Sequence, residues 1–167
     1  MNNAYLLIGG NIGDRVSYLQ KAINEIKQKI GPIVAISSVY ETAPWGNQQQ
    51  SHFLNQALQV TTSLEPYSLL KKILLIEQEM GRIRTTDNQP RTIDIDILYY
   101  NNLKLDSSEL TIPHPRIFSR KFVLIPMNEI APDHLDPYHN TSIHQLLSAC
   151  EDALEVNKFS INVHNKD

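Results

Sequence analysis

The stretch Pro90-Arg91-Thr92-Ile93-Asp94-Ile95-Asp96-Ile97-Leu98 alternates isoleucine with aspartate. A period of two is that of a β-strand, whose successive side chains point to opposite faces. Ile93, Ile95 and Ile97 therefore share one face and Asp94 and Asp96 the other, in a strand predicted over residues 92–100. Beyond it, Asn101-Asn102 reads as a two-residue hairpin turn, because asparagine tolerates positive φ, with residues 103–105 as the returning strand.

Working outward, the apolar run 4–8 reads as a buried strand, and Gly9-Gly10-Asn11-Ile12-Gly13 as a tight strand-to-helix turn. Val16, Leu19, Ile23, Ile26 and Ile30 recur at helical spacing until Gly31-Pro32 stops the helix. Residues 33–40 form a β-branched strand, 42–51 a polar loop and 53–62 another strand. Pro66 opens a second helix at its first position, with Leu69, Ile73, Ile76 and Met80 on one stripe and Gly81 at its end. The polar, aperiodic residues 82–90 read as a loop. Downstream, Pro113-His114-Pro115 is expected to be extended, and Ser119 to cap a helix over 120–130 that bends at Pro126. A short helix over 142–150 and a closing strand over 159–163 complete the chain. The order β-α-β-β-α-β predicts an α+β fold: a ferredoxin-like antiparallel sheet flanked by helices, a three-layer α/β/α sandwich forming one domain over 1–167.

Composition agrees with a globular protein: 167 residues, 41% hydrophobic and 20% charged. No apolar run approaches the ~18 residues of a membrane span. The single cysteine, Cys150, asks for no oxidising compartment, so a cytoplasmic location is expected. A net charge of −3 argues against a nucleic-acid binder. His134, His139 and His144, five apart, fit no zinc pattern and read as surface residues, while Cys150 reads as core.

Charge distribution is more telling than its sum. Arg82, Arg84, Arg91, Arg116 and Arg120 fall in one third of the chain, and guanidinium forks pair bidentately with phosphate. Arg82, Arg84 and Arg91 bracket the loop that feeds into Asp94 and Asp96. Two aspartates on one strand face repel unless a cation intervenes, and Mg²⁺ takes one or two carboxylates with substrate phosphates completing its shell. Arginines beside such carboxylates are the equipment of phosphoryl transfer, although the chain has no Walker A loop.

Several blocks occur in order: Gly9-Gly10-Asn11, Ser38-Val39-Tyr40-Glu41-Thr42-Ala43-Pro44, Phe53-Leu54-Asn55, and Glu77 with Gly81-Arg82-Ile83-Arg84. Pro90 to Asp96, Leu110-Thr111-Ile112-Pro113-His114-Pro115 and Phe122-Val123-Leu124-Ile125-Pro126 follow. In these blocks the chain resembles the 6-hydroxymethyl-7,8-dihydropterin pyrophosphokinase family of folate biosynthesis. The resemblance implies transfer of intact diphosphate from ATP to the hydroxymethyl group of a reduced pterin, with release of AMP. It implies Asp94 and Asp96 as ligands of two Mg²⁺ ions, and Arg82 and Arg91 as catalytic arginines, Arg82 being recruited as its loop closes. ATP would lie along Glu77, Arg84, Arg91, Ile97, Leu110, Thr111, His114 and Arg120. Thr42, Ala43, Pro44, Trp45, Phe53, Asn55 and Phe122 would form the pterin pocket. The partners implied are these small molecules, with no nucleic acid or membrane, and the chain is expected to act as a monomer.

Overall fold

A computed structural model describes residues 1–43, 51–82 and 92–161. The elements in chain order are β1 (Asn2–Gly10), α1 (Arg15–Lys29), β2 (Ile33–Ile36), β3 (Tyr40–Thr42), β4 (Phe53–Thr62), α2 (Pro66–Glu79) and β5 (Asp94–Tyr100). They continue with β6 (Leu105–Asp106), β7 (Thr111–Ile112), a 3₁₀ turn (Ile117–Ser119), α3 (Lys121–Ile130), β8 (Leu135–Asp136), β9 (Thr141–Ser142), α4 (Ile143–Ala149) and β10 (Val156–Lys158). The main sheet runs β10-β3-β4-β1-β5, with β2 also on β4, and its strand pairs are antiparallel.

Central strand β1 is buried on both faces, which is why its apolar residues run without a break. Ala4, Leu6 and Ile8 join Leu54, Leu58, Ile95 and Ile97 in a first core with Leu19 and Ile26 of α1 and Leu69, Ile73 and Ile76 of α2. Tyr5, Leu7, Ala57, Leu98 and Tyr99 form a second core with Val123, Leu124 and Met127 of α3 and Ile143 and Leu146 of α4. The α/β/α layering follows from these two cores. On β5 the register against β1 slips between Tyr5–Tyr99 and Leu6–Ile97, so Leu98 is an extra residue and both Leu98 and Tyr99 face the second core.

The structure corrects several expected elements. Residues 33–40 are not one strand, because Ser37 and Ser38 spend their polar groups on side-chain bonds. The Ser37 hydroxyl accepts the Ala57 N–H at 2.8 Å, and Ser38 donates its N–H and hydroxyl to Glu129 of α3, both at 2.6 Å. The turn after β5 does place Asn101 at φ 48, but residues 103–105 do not return beside β5. Asn101 instead exchanges hydrogen bonds with Asn3, each of 2.8 Å, and Leu105–Asp106 pairs with Thr111–Ile112. Pro113-His114-Pro115 turns rather than extends, as the His114 N–H reaches back to the Leu98 carbonyl at 3.0 Å. Ser119 closes the 3₁₀ turn; α3 begins at Lys121, whose N–H is capped by the Asp152 carboxylate at 3.0 Å. Pro126 does lie inside α3. The closing strand comes earlier than expected, at Val156–Lys158 on β3. Gly9 and Gly10 belong to β1 itself, and the turn into α1 is made at Gly13, with φ 67.

Cys150 packs against the second core as expected. His134 is half-buried rather than a surface residue: its ring lies 4.8 Å from that of Tyr5 and 4.5 Å from that of Tyr99. Its Nε2 is buried with no hydrogen-bond partner among the described residues. Beside it, the fully buried Asp136 accepts the Tyr99 hydroxyl at 2.8 Å and the Tyr138 and His139 N–H groups. Burial alone would raise the Asp136 pKa, but these donors hold it below the usual carboxylate range. Burial lowers the His134 pKa, against the opposing charge of Asp136.

A histidine with a lowered folded-state pKa takes up its proton more readily when unfolded. Stability should therefore fall as pH drops through about 6.5, and level off below the folded-state value. Thermal melting of the wild type and His134→Phe between about pH 7 and 5.5 tests this, since phenylalanine keeps the ring packing without the titration. The variant should lose less of its melting temperature on acidification. An equal loss in both proteins would show that other groups carry the acid sensitivity.

Candidate active site

Strand register builds the site. Tyr40 of β3 pairs with Asn55 of β4, Asn55 with Gly9 of β1, and Gly9 with Asp94 of β5. Residues directly opposite one another share a face, so Tyr40, Asn55 and Asp94 all look toward the α3/α4 layer. Gly9 leaves a gap in the middle of the row. The Asn55 amide leans into it: a Cβ on Gly9 would lie 2.3 Å from Asn55 Oδ1 and 2.7 Å from the Leu54 carbonyl oxygen. Glycine inside a strand marks such a close approach.

On one side of the gap lie groups suited to a flat polar ring. Asn55 is buried, and its amide donates to the buried Thr42 hydroxyl at 3.4 Å. Phe53 pairs with Thr42 on the next rung outward, with Ala43 just beyond. Phe122, in the first turn of α3, packs at the rim of the second core with the Arg120 guanidinium 5.5 Å above its ring.

On the other side lie the charges. Asp94 and Asp96 sit on the same face of β5, opposite Gly9 and Leu7, both half-buried. Glu77, 1% exposed on α2, accepts the Ile95 N–H at 2.9 Å, a donor that β5, as an edge of the sheet, does not give to β1. The Arg82 guanidinium wraps this edge, its Nη1 lying 2.5 Å from both Glu77 Oε2 and Asp94 Oδ1. Burial would lower the Arg82 pKa, but Asp94 and Glu77 outweigh it and raise it, so Arg82 stays a cation. Two carboxylates, one on α2 and one on β5, thus hold Arg82 at the edge of the sheet.

His114 faces the same charges. Burial lowers its pKa first, Arg120 and Arg116 lower it further, and Asp94 opposes them, so the ring is neutral near neutral pH. Its Nδ1 accepts the Arg116 N–H at 3.3 Å, which leaves the proton on Nε2 as a donor. Leu110 is buried and Thr111 half-buried; Leu110 is fixed by the Ser107 hydroxyl, which accepts its N–H at 3.1 Å. The Ile97 side chain belongs to the first core, so what it offers a ligand is backbone on the same outer edge as the Ile95 N–H. Arg84, Arg91, Pro44 and Trp45 lie outside the described residues.

Residues 5–132, which contain every candidate site residue, match the family described as 7,8-dihydro-6-hydroxymethylpterin-pyrophosphokinase. The chain belongs to the 7,8-dihydro-6-hydroxymethylpterin-pyrophosphokinase family. It is 46% identical over 132 residues to the 2-amino-4-hydroxy-6-hydroxymethyldihydropteridine pyrophosphokinase of Bacillus subtilis (strain 168), covering 78% of this chain and 79% of that one. It is 40% identical over 145 residues to the enzyme of the same name from Aquifex aeolicus, covering 87% and 90%. The Plasmodium falciparum HPPK-DHPS crystal structure with STZ-DHP superposes with a TM-score of 0.71 at 20% identity and shows the shared fold. The match covers 88% of this chain and 43% of that longer one. Pyrophosphokinase activity in folate biosynthesis is therefore the function of this family member.

Sequence reasoning missed the close approach of Asn55 to Gly9 beside the candidate site, although a glycine inside an apolar strand was a usable signal. It also missed Glu129 of α3, which braces Ser38 and lies 3.3 Å from the Tyr40 hydroxyl, and whose placement depends on packing.

Gly9→Ala should destabilise the protein by about 1–3 kcal/mol, the range for overpacking, and displace the Asn55 amide. Denaturant unfolding combined with pterin titration checks this. A stable variant with native pterin affinity would show that residue 9 does not shape the pocket.

Proposed function

We propose that this pyrophosphokinase uses ATP as donor and Mg²⁺ as cofactor, and transfers intact diphosphate to the hydroxymethyl oxygen of 6-hydroxymethyl-7,8-dihydropterin. The oxygen attacks the β-phosphorus of ATP, the bond from that phosphorus to the α,β-bridging oxygen breaks, AMP leaves and the hydroxyl proton is released. The observation that carries this reading is the row Asn55–Gly9–Asp94. It sets an amide-lined slot directly beside a carboxylate pair and a fixed arginine.

Asp94 and Asp96 fit Mg²⁺ by the chemistry of their donors: two hard oxygen-bearing carboxylates on one strand face, where water and substrate phosphates would complete an octahedron. Bound there, two such ions would neutralise polyphosphate charge and polarise the phosphoryl oxygens. The chain's own groups do the rest. Arg82 presents fixed positive charge at the end of β5, and Arg91, on the same polar segment, is read as its catalytic companion. His114 Nε2–H and Arg120 donate to the nucleotide's oxygens, with Glu77, Arg84, Ile97, Leu110 and Thr111 completing its site. Asn55 both donates and accepts, as an amide edge of the pterin requires, and Phe53 and Phe122 supply aromatic surface for its ring, with Thr42, Ala43, Pro44 and Trp45 around it. The same reading takes residues 1–167 as one domain acting as a cytoplasmic monomer.

Asp96→Ala should lower pterin-dependent AMP formation by at least ~10²-fold at saturating Mg²⁺, the scale of losing one strong electrostatic stabiliser. Activity within about threefold of wild type, or phosphate release from ATP without any pterin, would overturn the proposal.

A further inference from the structure

Arg15 is the first residue of α1, at the positive end of that helix, where a cation is disfavoured. It turns away from the helix to three other elements. Its Nη1 lies 2.8 Å from Glu41 Oε2 and 2.8 Å from the His52 carbonyl oxygen, and its guanidinium carbon sits 5.4 Å from the centre of the Phe159 ring. Glu41 precedes Thr42 in β3 and His52 precedes Phe53 in β4, and Thr42 and Phe53 are the last paired rung of those two strands. Phe159 follows β10, packs against the first core, and donates its N–H to the Val39 carbonyl at 2.8 Å. One guanidinium thus ties both strands together across the rung that carries Thr42 and Phe53. It does so from the face opposite their side chains, because Glu41 alternates with Thr42.

We infer that Arg15 is a positioning residue for the pterin: it fixes the separation of Thr42 and Phe53, and through Thr42 the Asn55 amide, without touching the substrate. This rests on the reading of Thr42, Phe53 and Asn55 as pterin contacts. A solvent-facing ion pair by itself would contribute little to general stability. Arg15 differs in that it also holds a backbone carbonyl and stacks on an aromatic ring, so its geometry is set by more than Glu41. Its effect falls on one substrate, since Glu77, Asp94 and His114 belong to α2, β5 and the segment after β7, none of which Arg15 meets in these bonds.

The test uses the full chain with Arg15→Ala, Arg15→Lys and Glu41→Gln. Calorimetry with 6-hydroxymethyl-7,8-dihydropterin alone and with a non-hydrolysable ATP analogue plus Mg²⁺ is paired with steady-state kinetics and thermal melting. Arg15→Ala should weaken pterin binding and raise the pterin KM by about tenfold, as small displacements of positioning groups do, while kcat at saturation and nucleotide affinity stay within about twofold. Arg15→Lys should recover part of the loss, and Glu41→Gln should show a smaller loss of the same selectivity. Unchanged pterin affinity in Arg15→Ala, or equal losses for both ligands, would overturn the role and leave Arg15 a stability residue. A wild-type chain that binds no pterin would instead remove the pterin assignment itself, and this role with it.

Discussion

The amide oxygen of Asn55 occupies the space that any side chain on residue 9 would need. Much of the site follows from that exclusion. Gly9 stands in an interior strand next to the sheet edge, with Asn55 of β4 on one side and Asp94 of β5 on the other, each one strand spacing, ~4.8 Å, away. An amide thus stands on one side of the glycine and a carboxylate on the other. Antiparallel register therefore sets the distance between acceptor and charged groups, with no loop needed to bring them together.

Electrostatics completes the charged side. A carboxylate as buried as that of Glu77 needs donors and an opposite charge beside it. Arg82 and the Ile95 N–H supply the compensation, and the same guanidinium reaches Asp94 around the edge of β5. A structural ion pair and a candidate catalytic cation are one residue. This ties the end of α2 to the start of β5, so the geometry of these charges is linked to the packing of the first core.

How much of this was legible in sequence depends on the range of the interactions. Helix α2 was readable from Pro66, the leucine and isoleucine stripe and Gly81, since all three signals are local. The alternation at Ile93 to Ile97 placed Asp94 and Asp96 on one face, again a local fact. The break at Ser37 and Ser38 was not readable, because it depends on Glu129, ninety-one residues away. Ser119 had the chemistry of a helix cap, yet the cap is Asp152, which only the packing of the chain after α4 brings near. His134 read as polar surface because its ring partners, Tyr5 and Tyr99, come from two distant strands. The shared face of the candidate residues Asp94 and Asp96 was legible through the strand period. The tie between Arg82 and Glu77 was not, as nothing in the order of residues says which side of β5 the arginine will take.

The extra residue in β5 has a further consequence. Before Leu98 the strand is in one phase, aspartates toward α3 and isoleucines toward α1 and α2; after it, the phase is inverted, and Tyr99 rather than Tyr100 faces α3 and α4. One strand thus carries two reading frames. Its first half answers to the charged groups and its second to a hydroxyl anchored on Asp136. Losing a single residue between Asp96 and Tyr99 would turn one half inside out, whereas a like-for-like substitution there disturbs only its own contacts. Over this short segment, change of residue type should be far better tolerated than change of length.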